Sequence, residues 1–221
     1  MIALVTTGPA SAPIDEVRQI SNFSTGEVGA LLAEALLLQG FQVLLFRGDN
    51  ATHRDVPVGA ALRQFATNRD LMGKLLDISA TRGQDVRAVF HAAALSDYEV
   101  TSIKGPEGDL SGKKKIPGNL SFLHLTLQPA EKILPRLASW FPQAWIVGWK
   151  YQMEGTREEA IKIARTQLEQ GRIQASVING GAYGSGFGLL EGSKSPLHFE
   201  NRRETAYFLA SQARQSAKAD H

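Results

Sequence analysis

The 221-residue chain contains no cysteine. Disulfides, thiolate zinc sites and a cysteine nucleophile are excluded together, so any cysteine chemistry must use a cysteine supplied from outside. Charge of one sign is also not in surplus. Twenty-four basic against 22 acidic residues leave a formal charge of +2, far from the basic excess expected of a nucleic-acid partner and better matched to a small anionic substrate. No apolar stretch approaches 18 uninterrupted residues, and the N-terminus enters a strand pattern with no basic n-region or small-residue cleavage site. The expectation is a cytoplasmic protein with no membrane partner. The five histidines, His53, His91, His124, His198 and His221, show no ligand spacing, and no serine sits in a G-x-S-x-G elbow. Metal hydrolysis and triad chemistry are therefore disfavoured, and no protein-held metal is expected. The first strand-to-helix turn also lacks G-x-G-x-x-G, offering only Gly8 before a long detour to Gly26, which argues against classical dinucleotide binding.

What is present is a core. With 43% apolar residues, the chain is long enough to bury one and reads as a single domain over residues 1–221. "IALVT" (Ile2–Thr6), "FQVLLF" (Phe41–Phe46), "RAVFHAA" (Arg87–Ala93), "WIVGW" (Trp145–Trp149) and "ASVIN" (Ala175–Asn179) are apolar on both alternating faces. Strands of a parallel sheet covered by helices on both sides must have that pattern. Between them, Gly26 to Gln39 carries leucines at helical spacing and ends on Gly40 as a C-terminal glycine cap. Asn68 to Ala80 follows "ATN", Pro129 to Phe141 has a proline near its first turn, and "TREE" has capping-box spacing between Thr156 and Glu159. Pro135 should split or kink the third of these. The alternation predicts an α/β fold, three-layered and Rossmann-like, with a doubly wound, mostly parallel sheet.

Two stretches leave that alternation. Glu99 to Leu127 is a polar, glycine-rich excursion followed by alternating residues from Leu120, read as a β-ribbon or flap that faces water or a second subunit. "GGAYGSGFGLLEGSKSPLHFEN", about residues 180–200, reads as a flexible loop and an edge hairpin, and the closing "QSAKADH" as a frayed tail.

In open parallel sheets ligands sit beyond the carboxyl ends of the strands. After the first strand the detour brings Asn22, Ser24, Thr25 and the amides of Gly26 to Gly29 to a helix start, which suits either a phosphate or carboxylate, or a plain cap from Ser24 or Thr25. After "HAAALSDYEV", small alanines admit a planar or sugar group. Asp97 there suits a ribose hydroxyl, a magnesium ion or a helix cap. Lys113, Lys114 and Lys115 in the flap form a solvated turn or a polyphosphate clamp. Trp149 stacks on a base or belongs to the core.

In this order the motifs resemble one family, the phosphopantothenoylcysteine synthetases, the ligase domain of the coenzyme A flavoproteins. "VTTGPASAPIDEVRQISNFSTGEVG" is similar to the family's opening "VTxGGTxxPIDxVRxISNxSSGxxG", "AAALSDY" to "AAVADY", "KKKI" to its flap lysines "KIKK", "VGW" to "VGF" and "ASVIN" to "DLIVAN". The ISN-x-S-[ST]-G match is the specific one. The resemblance implies a stand-alone ligase that joins 4′-phosphopantothenate to cysteine through an acyl-nucleotide, with magnesium and CTP or ATP as co-substrate. It implies catalytic roles for Asn22 and Lys113, and a substrate site at Asn22, Ser24, Thr25 and Gly26. It places the nucleotide against Gly8, His91, Ala92, Ala93, Asp97, Lys113, Pro129, Ala130 and Trp149, in a homodimer whose flap strand helps to join the subunits.

The family's "GGT" is "GPA" here, its "NPD" is "QPA", and its "GFAAET" is Gly148 to Met153 with Lys150 inserted. A non-catalytic or altered-substrate paralogue that binds a nucleotide or a phosphorylated ligand is the alternative. A Rossmann reductase would need a tight glycine fingerprint and a Tyr-x-x-x-Lys pair, and neither occurs.

Overall fold

The structure, a computed structural model, describes residues 1–219. β1 (Ile2–Thr7) runs into a small antiparallel hairpin, β2 (Ser11–Pro13) and β3 (Gln19–Ser21), ahead of α1 (Glu27–Leu38). β4 (Gln42–Gly48), β5 (Ala61–Phe65), α2 (Asn68–Arg82) and β6 (Val86–His91) follow. The chain then leaves the sheet as a ribbon of three antiparallel strands, β7 (Tyr98–Gly105), β8 (Gly108–Asp109) and β9 (His124–Pro129). A short 3-10 turn leads into α3 (Leu137–Trp140), then β10 (Trp145–Tyr151), α4 (Arg157–Gly171) and β11 (Ala175–Gly180). The hairpin β12 (Gly184–Leu190) and β13 (Leu197–Phe199) precedes α5 (Arg202–Ala219).

The central sheet runs β13-β12-β11-β10-β6-β1-β4-β5, parallel from β11 to β5 and antiparallel at β12 and β13. Its six parallel strands have the doubly wound Rossmann order, with β1 and β6 at the switch point. Alternation on the strands divides the core in two. Leu4, Phe46, Val89 and Ile146 face α2, α3 and α4, while Val5, Leu45, Phe90 and Val147 face α1 and α5. α1 lies so close on β1 that a Cβ at Gly29 would stand 2.2 Å from Thr7 Cβ, so only glycine fits there. The capping box of Thr156 and Glu159 is present at α4, and Gly40 takes the left-handed conformation (φ 81°) that ends α1. The expected edge hairpin is β12 and β13.

Four expectations need correction. The helix over Pro129 to Phe141 does not form as one: Pro129 closes β9 on the ribbon's edge, where a missing N–H is tolerated, and the first helical turn begins only at Leu134, with Pro135 in its opening positions. The strand expected from Leu120 begins at His124. "ALRQF" supplies the edge strand β5, which commits only Leu62 and Phe65 to the core, too few apolar residues to read as a strand. Gln215 to Ala219 belong to α5 rather than to a tail, because that helix buries Leu209, Ala210, Ala213 and Ala217 beside α1; Asp220 and His221 lie outside the described residues. Among the described residues no helix is long and apolar enough to cross a membrane.

Candidate active site

Beyond the ends of β1 and β6 the two chains remain joined by their backbones. Ala92 N donates to Thr6 O (3.0 Å), Ala94 N to Gly8 O (2.9 Å) and Ala10 N to Ala94 O (3.1 Å). The result is a floor of small residues, Gly8 to Ala10 beside Ala92 to Ala94. Gly8 holds φ 75°, and a Cβ there would meet Ala51 Cβ at 2.8 Å, so the turn requires glycine on both counts. Asn68, at the start of α2, fixes the next loop reciprocally: its Nδ2 donates to Ser96 O (2.8 Å), and its Oδ1 accepts from Ser96 N (3.1 Å).

The loop after β3 crosses this floor. Asn22 Nδ2 donates to Leu95 O at 2.8 Å, so the carboxamide bridges the β1 side and the β6 side of the switch point. Four residues on, Gly26 stands at the start of α1 in the left-handed conformation (φ 84°), with no side-chain cap. Thr7 Oγ1 donates to Gly26 O (3.0 Å), and Thr25 Oγ1 accepts from Glu27 N (3.3 Å). The cap position expected for Ser24 or Thr25 is thus taken by Gly26, although Thr25 still satisfies one amide. The remaining first-turn amides form a helix start of the kind that offers N–H groups to an anion.

His91 is only 7% exposed and lies under the floor, its Nδ1 2.8 Å from Thr6 Oγ1. Burial pushes its imidazole down to about 4, so at neutral pH it is uncharged and serves shape rather than charge. Asp97 is exposed and ion-paired with Lys132, and its carbonyl accepts from Ala130 N at 2.8 Å. That bond, with the Tyr98–Pro129 register of the ribbon, brings Asp97, Pro129 and Ala130 to one place. Lys113, Lys114 and Lys115 sit on the ribbon's exposed turn and have no ion-pair partner among the described residues.

Trp149 stands apart. It packs into the α1 and α5 side of the core, whereas Ala93, Leu95 and Leu134 pack on the opposite side of the sheet. Its indole Nε1 is buried without a partner. Its side chain is half-buried against the apolar residues on that side of the sheet. Neither Asn68 nor Lys132 was signalled as a site residue by the sequence; the "ATN" helix start was the only trace of the former. No group of three His, Asp or Glu side chains able to hold a metal ion occurs among the described residues. A cavity of about 570 Å³ opens at the ends of β10 and β11, between Glu27, Tyr151, Asn179 and Arg202. Another of about 520 Å³ lies between α1, the 53–58 loop and Arg203, away from the switch point.

The model of the DNA/pantothenate metabolism flavoprotein C-terminal domain matches residues 2–216. The chain belongs to this family. Its relatives include the coenzyme A biosynthesis bifunctional protein CoaBC of Thermococcus kodakarensis, 31% identical over 80% of this chain and 40% of that protein. Human phosphopantothenate–cysteine ligase is 27% identical over 80% of this chain and 71% of its own. The crystal structure of the DNA/pantothenate metabolism flavoprotein from Streptococcus pneumoniae superposes with a TM-score of 0.82 at 25% identity, each chain covered fully. The chain thus spans about two fifths of the bifunctional relatives it matches, and as a family member it shares the doubly wound sheet described above.

Proposed function

We propose that this chain catalyses the nucleotide-dependent ligation of 4′-phosphopantothenate to cysteine. One observation carries the reading: Asn22, within an ISN-x-S-T-G loop, lies across the floor at the switch point, directly ahead of an uncapped helix start. A carboxylate does not condense with an amine at neutral pH unless it is first activated. On this reading an oxygen of the substrate carboxylate attacks the α-phosphorus of the nucleotide, and pyrophosphate leaves. The cysteine amine then attacks the acyl carbon, the amide bond forms, the nucleoside monophosphate departs with the acyl oxygen, and the amine proton passes to solvent. The protein positions the reactants and stabilises charge, and needs no nucleophile of its own. A chain without cysteine satisfies that requirement.

Asn22 donates to the acyl-nucleotide carbonyl, and Ser24, Thr25 and Gly26 hold the pantothenate side. Gly8, Ala92, Ala93 and the neutral His91 shape the nucleotide floor, with Asp97, Pro129 and Ala130 at its rim. Lys113 follows the triphosphate as a mobile point charge. Magnesium arrives with CTP or ATP, coordinated chiefly by phosphate oxygens. The exposed Tyr98, Phe122 and Leu127 of the ribbon provide a face for a second copy of the chain, and the setting is the cytoplasm.

The test is pyrophosphate release with CTP or ATP, with and without phosphopantothenate and cysteine. Release that requires phosphopantothenate and yields the cysteine amide supports the ligase. Nucleotide binding without release, from folded protein, would instead support a binding paralogue, the reading that Pro9 and Ala130 favour as departures from the family pattern.

A further inference from the structure

The turn between β2 and β3 contains an acidic side chain with no solvent exposure. The Asp15 carboxylate is fully enclosed and accepts from five N–H groups. Its Oδ1 takes Val17 N (3.0 Å) and Arg18 N (2.8 Å). Its Oδ2 takes Arg18 Nε (3.1 Å), Arg18 Nη2 (2.6 Å) and Ile116 N (3.0 Å). The first oxygen therefore builds the turn, and the second reaches across 101 residues to the ribbon. Two further bonds run parallel to that contact, from Arg18 Nη2 to Ile116 O (2.5 Å) and from Glu16 N to Lys114 O (2.9 Å). The Arg18 guanidinium, and then the Ile116 amide, hold the Asp15 carboxyl well below the usual carboxylate range, so the latch keeps its charge throughout the neutral range.

These bonds fix the middle residue of the lysine triplet, Lys114, and the residue that follows the triplet, Ile116. Ile116 is buried with Ile103 and Leu110 in a small core of the ribbon's own, against which Ile14 of the hairpin packs. The triplet is thereby tied to the hairpin at Lys114 and Ile116, while the side chains of Lys113, Lys114 and Lys115 stay exposed. The same hairpin continues through β3 to Asn22, so one turn joins the two groups on which the proposed chemistry depends.

We propose that Asp15 is a positioning residue that latches the Lys113–Lys115 turn to the Asn22 hairpin and so sets the affinity for the nucleotide triphosphate. This rests on the ligase reading only in taking the triphosphate as the ligand of those lysines. A conformationally loose flap would pay for its ordering each time the nucleotide binds, and a latched one has its ordering already built in.

Asp15→Asn isolates the latch. Its remaining oxygen can still accept from Val17 and Arg18, whereas the new amide cannot accept from Ile116 or from the guanidinium. The expected results are trypsin cleavage after Lys113 to Lys115 at least ten times faster than in the wild type, and a Kd for CTP or ATP, by calorimetry, about ten times weaker. In a Lys113→Ala background the same substitution should change Kd by less than twofold, because the group being positioned is gone. Cleavage within twofold of wild type, or a Kd loss undiminished in that background, would overturn the proposal. The unmodified protein gives an independent check, since the Ile116 amide should be protected from hydrogen exchange, and exchange at the rate of an unstructured peptide would overturn it equally. These readouts use trypsin, solvent and nucleotide alone. A wild type that releases no pyrophosphate would remove the ligase reading and leave them standing.

Discussion

The floor at the switch point and the lysine-bearing ribbon are held in different ways. On the floor, main chain bonds to main chain: Ala92, Ala94 and Ala10 extend the β1–β6 ladder beyond the strands, and the side chains are small because the backbone does the holding. In the ribbon the lysine turn is anchored through one buried carboxylate and its guanidinium. Ladder bonds tolerate most side-chain changes, and a latch of one residue tolerates almost none. The molecule thus has a floor held by its main chain and an arm held chiefly by side chains.

The largest expected effect lies in the core between α1 and the sheet. Leu36 of α1 is fully buried there, and Leu36→Ala should cost about 2–5 kcal/mol through lost burial and a residual cavity, measured by denaturant unfolding. A loss below about 1 kcal/mol would mean that the last turn of α1 is not packed as described. His91 comes next. Its imidazole titrates at about 4 when folded, against 6.5 when free, so between those values the unfolded chain binds a proton that the folded chain does not. Stability is complete above about pH 6.5 and falls as pH drops toward 4, by about 1.4 kcal/mol per unit where the difference is full. Thermal midpoints measured across that range should fall less steeply for His91→Gln than for the wild type. Parallel profiles would place His91 in water rather than under the floor.

Much of this floor is legible in the sequence, and much of the ribbon is not. β1, β4, β6, β10 and β11 are runs buried on both faces, and continuous apolar composition declares such strands. Gly8, Asn22 and Ala92 to Asp97 follow from the rule that ligands gather at the carboxyl ends. α5 and β5 are hidden because their exposed halves dilute the pattern. α5 buries chiefly alanines, such as Ala206, Ala210 and Ala213, among arginines, glutamines and serines that leave no apolar run, and "ALRQF" commits only Leu62 and Phe65 to the core, one on each side of the sheet. Pro129 reads as a helix start because proline is favoured there, yet it suits the end of an edge strand as well. The Asp15–Ile116 bond spans a separation that no local pattern encodes.

The two regions should also separate kinetically. Asn22→Ala removes the group that crosses the floor, leaves the core untouched, and should lower turnover at least tenfold, about 1.4 kcal/mol of transition-state stabilisation. The thermal midpoint should hardly move, because the side chain is exposed and donates only to Leu95 and, more weakly, Ala94. Lys113→Ala should match it in turnover while weakening nucleotide binding as well. Turnover within about twofold of wild type for either variant would remove that residue from the mechanism.

The smallest effect on folding is expected at the ribbon's outer face. Leu127 is 43% exposed and Tyr98 53%, an apolar pair on the strands β7 and β9 of the ribbon. Leu127→Ala should therefore change the unfolding free energy of the isolated chain by less than about 0.5 kcal/mol. If the face joins two copies, Leu127→Asp should lower the assembled mass in light scattering at micromolar concentration without lowering the monomer's stability, because a charge placed in an apolar contact is costly only when the contact forms. An unchanged mass would leave the ribbon as an arm of a single chain. The Asp15 latch would then be its principal tether to the site, and the contrast between a ladder-held floor and a side-chain-held arm would be complete within one molecule.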